Sequence, residues 1–177
     1  RDYSKATSAH NTLNINGLDQ SEFWGSFRIG RRSKTTIINY EKSEDYLKIA
    51  SKNNGYIILK GKPIHQRNIF VNEDELHIKD SVIGGHSQTA QSTILFSPEV
   101  QIFSEKSNQN INKSLKLVLP ANKKYPFFIN LQFKSSVPLT IEDADFYPDF
   151  GIALKSKRVI MHLGSVPSSA EWSIVKI

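Results

Sequence analysis

Hydrophobic residues alternate with polar residues over short runs of the chain. Examples are Leu13 and Ile15, Leu47 and Ile49, Leu76 and Ile78, and Ile129, Leu131 and Phe133. A period of two places alternate side chains on one face of an extended strand, so these runs predict strands with one buried face. No long stretch keeps the spacing of an amphipathic helix. The pattern therefore predicts little or no helix.

Turn-forming residues separate these runs at short intervals. They occur at Asn16-Gly17, Asn53-Asn54-Gly55, 72–75, Gly84-Gly85, 108–110 and Pro138. About a dozen strands at this spacing predict two packed antiparallel sheets, because each sheet buries its apolar face against the other. We therefore predict an all-β fold, an antiparallel two-sheet β-sandwich, as a single domain over residues 1–177. The polar segment 104–114 is predicted to be a long hairpin loop.

Composition narrows the possible chemistry. The chain of 177 residues contains no Cys, which excludes disulfides, thiolate metal sites and cysteine nucleophiles. A formal net charge of +6 favours an anionic partner, which can be a nucleic acid, an acidic polysaccharide or a lipid surface. No apolar run approaches the roughly 18 residues that a membrane span needs. Ser-His-Asp order, a phosphate loop and a nucleotide-binding fingerprint are also missing.

Several motifs resemble one known family. The distinctive ones are Ala9-His10-Asn11-Thr12, the block 19–24, and Phe27-Arg28-Ile29-Gly30-Arg31-Arg32. Weaker ones follow in order: Gly55-Tyr56, 61–67, Gly84-Gly85-His86, 95–100 and 147–151. Together they resemble the C-terminal half of heparinase II/III-like proteins, particularly those of bacterial capsule and exopolysaccharide systems. One departure is Leu95-Phe96-Ser97, where members often carry a His-rich strand.

The resemblance implies a reaction and the parts that perform it. Lyases of this family cleave acidic, uronate-containing polysaccharides by β-elimination, which requires neutralisation of the uronate carboxylate and a Tyr or His that handles the proton. In the family these groups come largely from an α/α toroid and a His-Gly-His-Ala-Asp strand, both upstream. The chain starts at Arg1 without either, so we expect a C-terminal fragment that is inactive alone. Its expected partners are acidic polysaccharide and the upstream toroid of the same protein, in the periplasm or outside the cell.

The resemblance also implies a metal ligand. His10 matches the family's His-Asn-Thr histidine, which joins an upstream His and Asp in holding a divalent, zinc-like ion in the full-length protein. One ligand does not hold the ion, so we expect His10 to be metal-free here, with its imidazole partly exposed at the rim. The alternative is a polar histidine that caps a strand. Asn11 and Thr12 either orient the His10 ring or, as we favour, satisfy backbone groups.

A basic cluster is the first candidate for substrate binding. It consists of Arg28, Arg31, Arg32 and Lys34. Guanidinium groups grip carboxylates in bidentate fashion, and a strand that continues through Gly30 would place Arg28 and Arg32 on one face. The alternative, which we slightly favour, is a solvated charged face. Its ion-pair partners would be Glu22, Glu41 and Glu44.

Other candidates have weaker support. Trp24 is able to stack on a sugar ring, but large aromatics in strands are more often core, so we expect Phe23 or Trp24 to be buried. Residues 73–75 are expected to tip a hairpin, and residues 147–151 to form a sheet corner against the toroid. The remaining histidines are expected to be ordinary hydrogen-bonded side chains because they lack ligand spacing. They are His65, His77, His86 and His162.

Two functions from different classes remain. The first is the supporting, partly ligand-contributing domain of a polysaccharide lyase. The second is a non-catalytic module that binds anionic glycans or serves in packing. A nucleic-acid partner is not expected, because the interleaved basic and aromatic pattern of single-strand binders is missing.

Overall fold

The computed structural model describes residues 3–24, 28–104, 113–121, 126 and 128–177. These residues contain fourteen β-strands and two short 3₁₀ turns, Tyr3–Lys5 and Thr7–Ala9, and no α-helix. The strands are β1 (Leu13–Ile15), β2 (Phe23–Trp24), β3 (Arg28–Ile29), β4 (Thr35–Lys42), β5 (Tyr46–Asn53), β6 (Ile64–Asn72), β7 (Glu75–Ile83), β8 (Thr89–Leu95), β9 (Gln101–Ser104), β10 (Ser114–Leu119), β11 (Ile129–Ser135), β12 (Leu139–Asp149), β13 (Ile152–Ser165) and β14 (Ser168–Lys176). The all-β prediction is confirmed.

The strands form two main antiparallel sheets. The small sheet has four strands in the order β1-β8-β13-β12, and the large sheet has eight in the order β4-β5-β6-β7-β14-β11-β10-β9. Among the described strands, β2 and β3 pair only with each other and form a separate two-stranded ribbon. The predicted antiparallel β-sandwich is therefore confirmed. None of the helices in the described part of the chain is long and apolar enough to cross a membrane.

The predicted turns connect these strands. Asn16 and Gly17 follow β1 with φ values of 52° and 70°, a left-handed conformation that suits Asn and Gly. Asn72 closes the β6–β7 hairpin by accepting backbone N–H bonds from Asp74 and Glu75 at 2.9 and 2.8 Å. Residues 73–75 thus lie at a hairpin tip, as predicted. The segment 104–114 connects the paired strands β9 and β10, and its residues 105–112, including the predicted turn at 108–110, lie outside the described residues.

One predicted feature has a different geometry. Residues 147–151 were expected to form a sheet corner, but they belong to the hairpin that joins β12 to β13. Phe150 at its tip is 93% exposed. The hairpin extends beyond the core because its strands are longer than the neighbouring β8, which ends at Leu95.

The larger core cluster lies between the two sheets. Phe133 of β11 is fully buried, stacks on Trp172 of β14 at 5.8 Å between ring centroids, and meets the edge of Phe96 at 6.4 Å. Val159 and Met161 of the small sheet are also fully buried in this cluster. The inner faces of the two sheets thus bury the larger apolar cluster against each other. Burial of apolar surface is the main favourable contribution to folding.

A second core cluster holds the start of the chain against the sandwich. Leu13 and Ile15 of β1 are fully buried beside Tyr56, which is 1% exposed. The Tyr56 hydroxyl donates to the carbonyl oxygen of Leu18 at 3.0 Å, and burial raises the pKa of this phenol. The cluster fixes β1 at the edge of the small sheet. The His10 segment, immediately before β1, is therefore carried at that edge.

Candidate functional site

His10 lies between the second 3₁₀ turn and β1. Its backbone N–H donates to the carbonyl oxygen of Thr7 at 3.1 Å, and its own carbonyl accepts the Thr12 N–H at 2.8 Å. The backbone of His10 is extended, with φ −119° and ψ 158°, which turns the chain from the 3₁₀ turn toward the strand. The imidazole is exposed. This placement agrees with a histidine at the rim of the sandwich.

A shallow cleft of about 260 Å³ opens beside His10. The residues that line it are Lys5, Thr7, His10, Thr12, Gln20, Ser21, Phe23 and Ser33. These side chains supply one cation, one imidazole, several hydroxyl or amide groups, and one aromatic ring. None of the described residues that line the cleft is acidic. Its chemistry therefore suits a hydroxylated ligand with negative charge.

Asn11 and Thr12 bind the beginning of β1 to its surroundings. The Asn11 side-chain oxygen accepts the Leu95 backbone N–H at 2.7 Å, and the Thr12 carbonyl accepts that of Thr93 at 3.0 Å. The Thr12 hydroxyl accepts a bond from the Gln20 amide at 3.1 Å. The Asn11 side chain thus satisfies a backbone group of β8, and within the described residues neither Asn11 nor Thr12 bonds to the His10 ring.

A buried charged network lies directly beneath this segment. Asp80 of β7 is fully excluded from solvent, yet its carboxylate accepts four hydrogen bonds. His65 Nε2 lies 2.7 Å from Oδ1, Arg67 donates from Nε and Nη2 at 2.7 and 2.8 Å, and Ser92 Oγ donates to Oδ2 at 2.6 Å. Because Ser92 belongs to β8, the network joins the small sheet to the large one.

Arg67 extends the network to the candidate site. Its third donor, Nη1, bonds to the carbonyl oxygen of Asn11 at 2.6 Å. A single guanidinium thus joins the buried Asp80 carboxylate to the residue that follows His10.

Sequence reasoning missed this network, although a signal was present. His65 and Arg67 are two residues apart on β6, and Asp80 is two residues from the buried Ile78 on β7, so all three occupy inward-facing positions of alternating strands. Ionisable residues are rarely buried unless paired. The expectation of a hydrogen-bonded His65 is correct, but its partner was not identified.

The network makes the stability of the protein depend on acid pH. Burial alone would raise the pKa of Asp80, but the hydrogen bonds from His65 and Arg67 and the Arg67 charge outweigh burial and hold it well below its ordinary value. A depressed carboxyl pKa in the folded state stabilises the protein at pH values above the unfolded value of 3.8. We expect the denaturant midpoint to fall progressively below that pH, and an Asp80→Asn variant to lack this component. If the denaturant midpoint depended on pH in the same way in the unmodified protein and in Asp80→Asn, the assignment would be contradicted.

The β2–β3 ribbon carries the aromatic and basic candidates. Trp24 and Arg28 are directly opposite each other across the ribbon, and both are exposed. The prediction that Phe23 or Trp24 is buried is wrong, since they are 39% and 61% exposed. The reason is that the ribbon belongs to neither main sheet, so within the part of the chain that the structure describes no second sheet packs over it. Glu22 is engaged with Trp24, whose indole N–H donates to its carboxylate at 2.9 Å.

The other members of the basic cluster diverge. Strand β3 ends at Ile29, so the condition for aligning Arg28 with Arg32, a strand that continues through Gly30, is not met. Arg31 points inward and donates from Nη1 to the carbonyl oxygens of Gln20 and Gly55 at 2.7 and 2.6 Å, which anchors the ribbon to the sandwich. Arg32 is exposed.

Two of the expected carboxylate partners of the cluster, Glu22 and Glu41, are engaged elsewhere. Glu41 accepts a hydrogen bond from Tyr46 and lies 3.6 Å from Lys48. Within the described residues no ion pair forms between the cluster arginines and Glu22, Glu41 or Glu44. The cluster is therefore not a network of surface ion pairs.

The residues present do not by themselves fit a metal ion. Across the described ranges no group of three or more His, Asp or Glu side chains is arranged to hold one. Of the other histidines, His65 belongs to the buried network, His162 Nε2 lies 3.1 Å from the Thr140 hydroxyl, and His77 lies 3.7 Å from Glu171. A site at His10 would need ligands from elsewhere.

Comparisons with known proteins agree with this fold. The family model described as Heparinase II/III-like, C-terminal, matches residues 1–174. A heparan sulfate lyase HepC mutant from Pedobacter heparinus superimposes with a TM-score of 0.73 at 13% identity, covering 99% of this chain and 25% of that one. The heparinase III BT4657 gene product gives 0.72 at 14% identity, covering 100% and 25%. No curated protein matches the chain by sequence.

The solved structures are much longer than this chain. A third one, the crystal structure of heparinase III, gives a TM-score of 0.68 at 14% identity and covers 99% of this chain but 25% of its own. The chain thus spans about a quarter of the length of the structures that it matches. At these identities the structural similarity establishes the fold, whereas the family model covers almost every residue of the sequence. The chain therefore belongs to the heparinase II/III-like C-terminal family.

Proposed function

We propose that this chain is the sheet domain of a lyase that cleaves acidic, uronate-containing polysaccharide by β-elimination, and that the domain is inactive alone. The observation that carries the proposal is the His10 cleft. It combines an exposed imidazole with a cation, hydroxyl and amide groups and no described carboxylate, and it lies at the rim where another domain is able to face it. The family membership is consistent with this assignment.

The chemistry of β-elimination explains what the cleft contributes. A base removes the proton next to the uronate carboxylate, a carbon–carbon double bond forms, and the glycosidic oxygen leaves with a proton. Negative charge grows on the carboxylate during this step, and preorganised donors lower the barrier by stabilising it. Lys5 brings a positive charge to the lining, which suits this task, and no carboxylate among the described lining residues opposes it. The base and the second wall come from outside this chain.

His10 has a more specific proposed role. We assign it as one ligand of a divalent, zinc-like ion whose other ligands, a His and a carboxylate, lie outside this chain. A single imidazole is not sufficient, since zinc sites with catalytic roles use three protein ligands. The compartment we propose is the periplasm or the cell exterior.

An apolar surface on the β12–β13 hairpin is the proposed contact with the toroid. Tyr147, Phe150, Ile152 and Leu154 are exposed on this hairpin. Tyr147 lies beside Tyr3, with 6.2 Å between the two ring centroids. A cluster of exposed large apolar residues is typical of protein–protein contacts. The hairpin surface and the adjacent Tyr3 are therefore suited to contact with a neighbouring domain.

A lyase assay tests the proposal. A protein that joins this domain to its toroid should release products with the ultraviolet absorbance of unsaturated uronates from at least one acidic glycan, and none from a neutral glycan of similar linkage. The 177-residue chain alone should release none. Absence of unsaturated product from the joined protein across heparan, chondroitin and bacterial uronate polymers would contradict the proposal, as would equal activity of the chain alone.

The exposed ribbon favours a second candidate, a non-catalytic module for anionic glycans. Trp24 offers an exposed ring for stacking, and the Arg28 guanidinium opposite it is able to bind a carboxylate. We expect Trp24→Ala and Arg28→Ala to weaken retention on a uronate polymer, while Lys116→Ala, an exposed cation on β10, changes it little. Retention should also fall as salt rises. Equal retention of all three variants would exclude the ribbon as the binding surface.

A further inference from the structure

The buried network and the His10 segment meet at one bond. Arg67 donates two hydrogen bonds to the buried Asp80 carboxylate and a third, at 2.6 Å, to the Asn11 carbonyl. Water is available to hydrogen-bond the main-chain carbonyl of an exposed residue, so a charged donor is seldom needed for that purpose. Asn11 is exposed. The bond from Arg67 therefore does more than satisfy the Asn11 carbonyl, because it also fixes the position of that carbonyl.

The guanidinium itself has little freedom. Its side chain is 15% exposed, and the two bonds to Asp80 form the bidentate geometry that fixes the plane of the group. Asp80 in turn accepts a bond from the buried His65, two residues from Arg67 on β6. The third donor is consequently aimed at a fixed point in space. The peptide that follows His10 is held at that point.

Neighbouring bonds transmit this constraint to His10. The Asn11 side chain accepts the Leu95 N–H, and the His10 carbonyl accepts the Thr12 N–H. Hydrogen bonds thus hold the backbone on both sides of the His10 peptide. No side chain among the described residues bonds to the imidazole. Its backbone is fixed while its ring stays available to a ligand.

We propose that Arg67, oriented by Asp80, is a positioning residue that sets the location of the His10 imidazole for the reaction. The inference rests on the proposed function of the His10 cleft and extends it to a residue that touches neither substrate nor metal. Small errors in the location of a reacting group have large effects on rate, because catalysis depends on near-attack geometry. Arg67 and the Asp80 carboxylate that orients it therefore support the active site, beyond their contribution to folding.

The test compares two substitutions around the same carboxylate. Arg67→Lys keeps a positive charge near Asp80, but one ammonium does not reproduce three donors in a plane, so the bond to Asn11 is lost. Ser92→Ala removes a different hydrogen bond from Asp80 and leaves the Arg67–Asn11 bond intact. Both variants perturb the buried network, and only the first releases the His10 segment.

Hydrogen exchange and kinetics are measured on each variant of the protein joined to its toroid. We expect Arg67→Lys to speed exchange of the Thr12 and Leu95 amides by about tenfold or more, because one charge-assisted hydrogen bond is lost. We also expect kcat to fall by about tenfold or more with a smaller change in KM. Ser92→Ala should leave both near those of the unmodified protein once the variants are compared at equal distance from their melting temperatures.

The outcomes separate this inference from the proposed function. Faster exchange at Thr12 and Leu95 together with a selective loss of kcat supports the positioning role. Unchanged exchange in Arg67→Lys, or equal loss of kcat in Ser92→Ala, overturns it. If no variant or parent protein shows lyase activity, the proposed function fails and, with it, the catalytic role of Arg67, whereas the exchange data still show whether Arg67 fixes the His10 segment.

Discussion

Replacing Asp80 with alanine is expected to destabilise the protein by about 3–5 kcal/mol, the range found when one member of a buried ion pair is removed. The carboxylate accepts bonds from His65, Arg67 and Ser92. Its removal leaves the Arg67 guanidinium, which is 15% exposed, without its counter-ion in a dry environment. The cost of that unpaired charge dominates the effect. Chemical denaturation at neutral pH measures it directly.

An exposed carboxylate provides the matched control. Asp143 forms an ion pair with Lys157 at 2.5 Å, but its side chain is 85% exposed. Water solvates the Lys157 ammonium once Asp143 is removed, so Asp143→Ala should leave the denaturant midpoint nearly unchanged. Equal midpoints for Asp80→Ala and Asp143→Ala would show that the network does not contribute to stability.

His10→Ala is expected to lower lyase activity of the joined protein by about 100-fold or more. Loss of a group that merely supports a metal ligand costs about 10–100-fold, so loss of a ligand should cost at least as much. The fold should be unaffected because the imidazole is exposed and the backbone bonds of residue 10 do not involve it. Initial rates, bound zinc and the denaturant midpoint are measured together.

His162→Ala is the matched control for this substitution. His162 is also exposed, and it lies on β13 with its ring beside the Thr140 hydroxyl. It does not line the cleft. We expect its rate and zinc content to match those of the unmodified protein. Full activity and full zinc content in His10→Ala would remove the proposed role of His10 as a metal ligand.

The fold was largely predictable because its signal is periodic and local. The alternation at Leu76 and Ile78 or at Ile129, Leu131 and Phe133 reports strands whatever their partners are, and all of these residues lie on β7 or β11. Turn residues such as Asn16 and Gly17 report their own backbone conformation. What local patterns do not report is which strands belong to the main layers. Phe23 and Trp24 look like core residues, yet their ribbon lies outside both sheets.

The candidate site was predictable only in part, for a related reason. A motif identified His10 through resemblance, and its exposed position agrees with that reading. The support beneath it depends on pairing between β6 and β7, which places Arg67 directly opposite Asp80. Register of this kind is a property of the folded sheet, so the sequence displays the residues without displaying their contact. The inward-facing roles of Arg31 and Arg67 were missed because basic residues are usually solvated.

The most direct test of the central claim is a crystal structure of the domain joined to its toroid with a uronate oligosaccharide bound. We expect the saccharide to occupy the cleft beside Lys5, Gln20 and Phe23. The His10 imidazole should contact the saccharide or a metal ion completed by residues of the toroid. An oligosaccharide bound elsewhere, with His10 facing only solvent, would contradict the account.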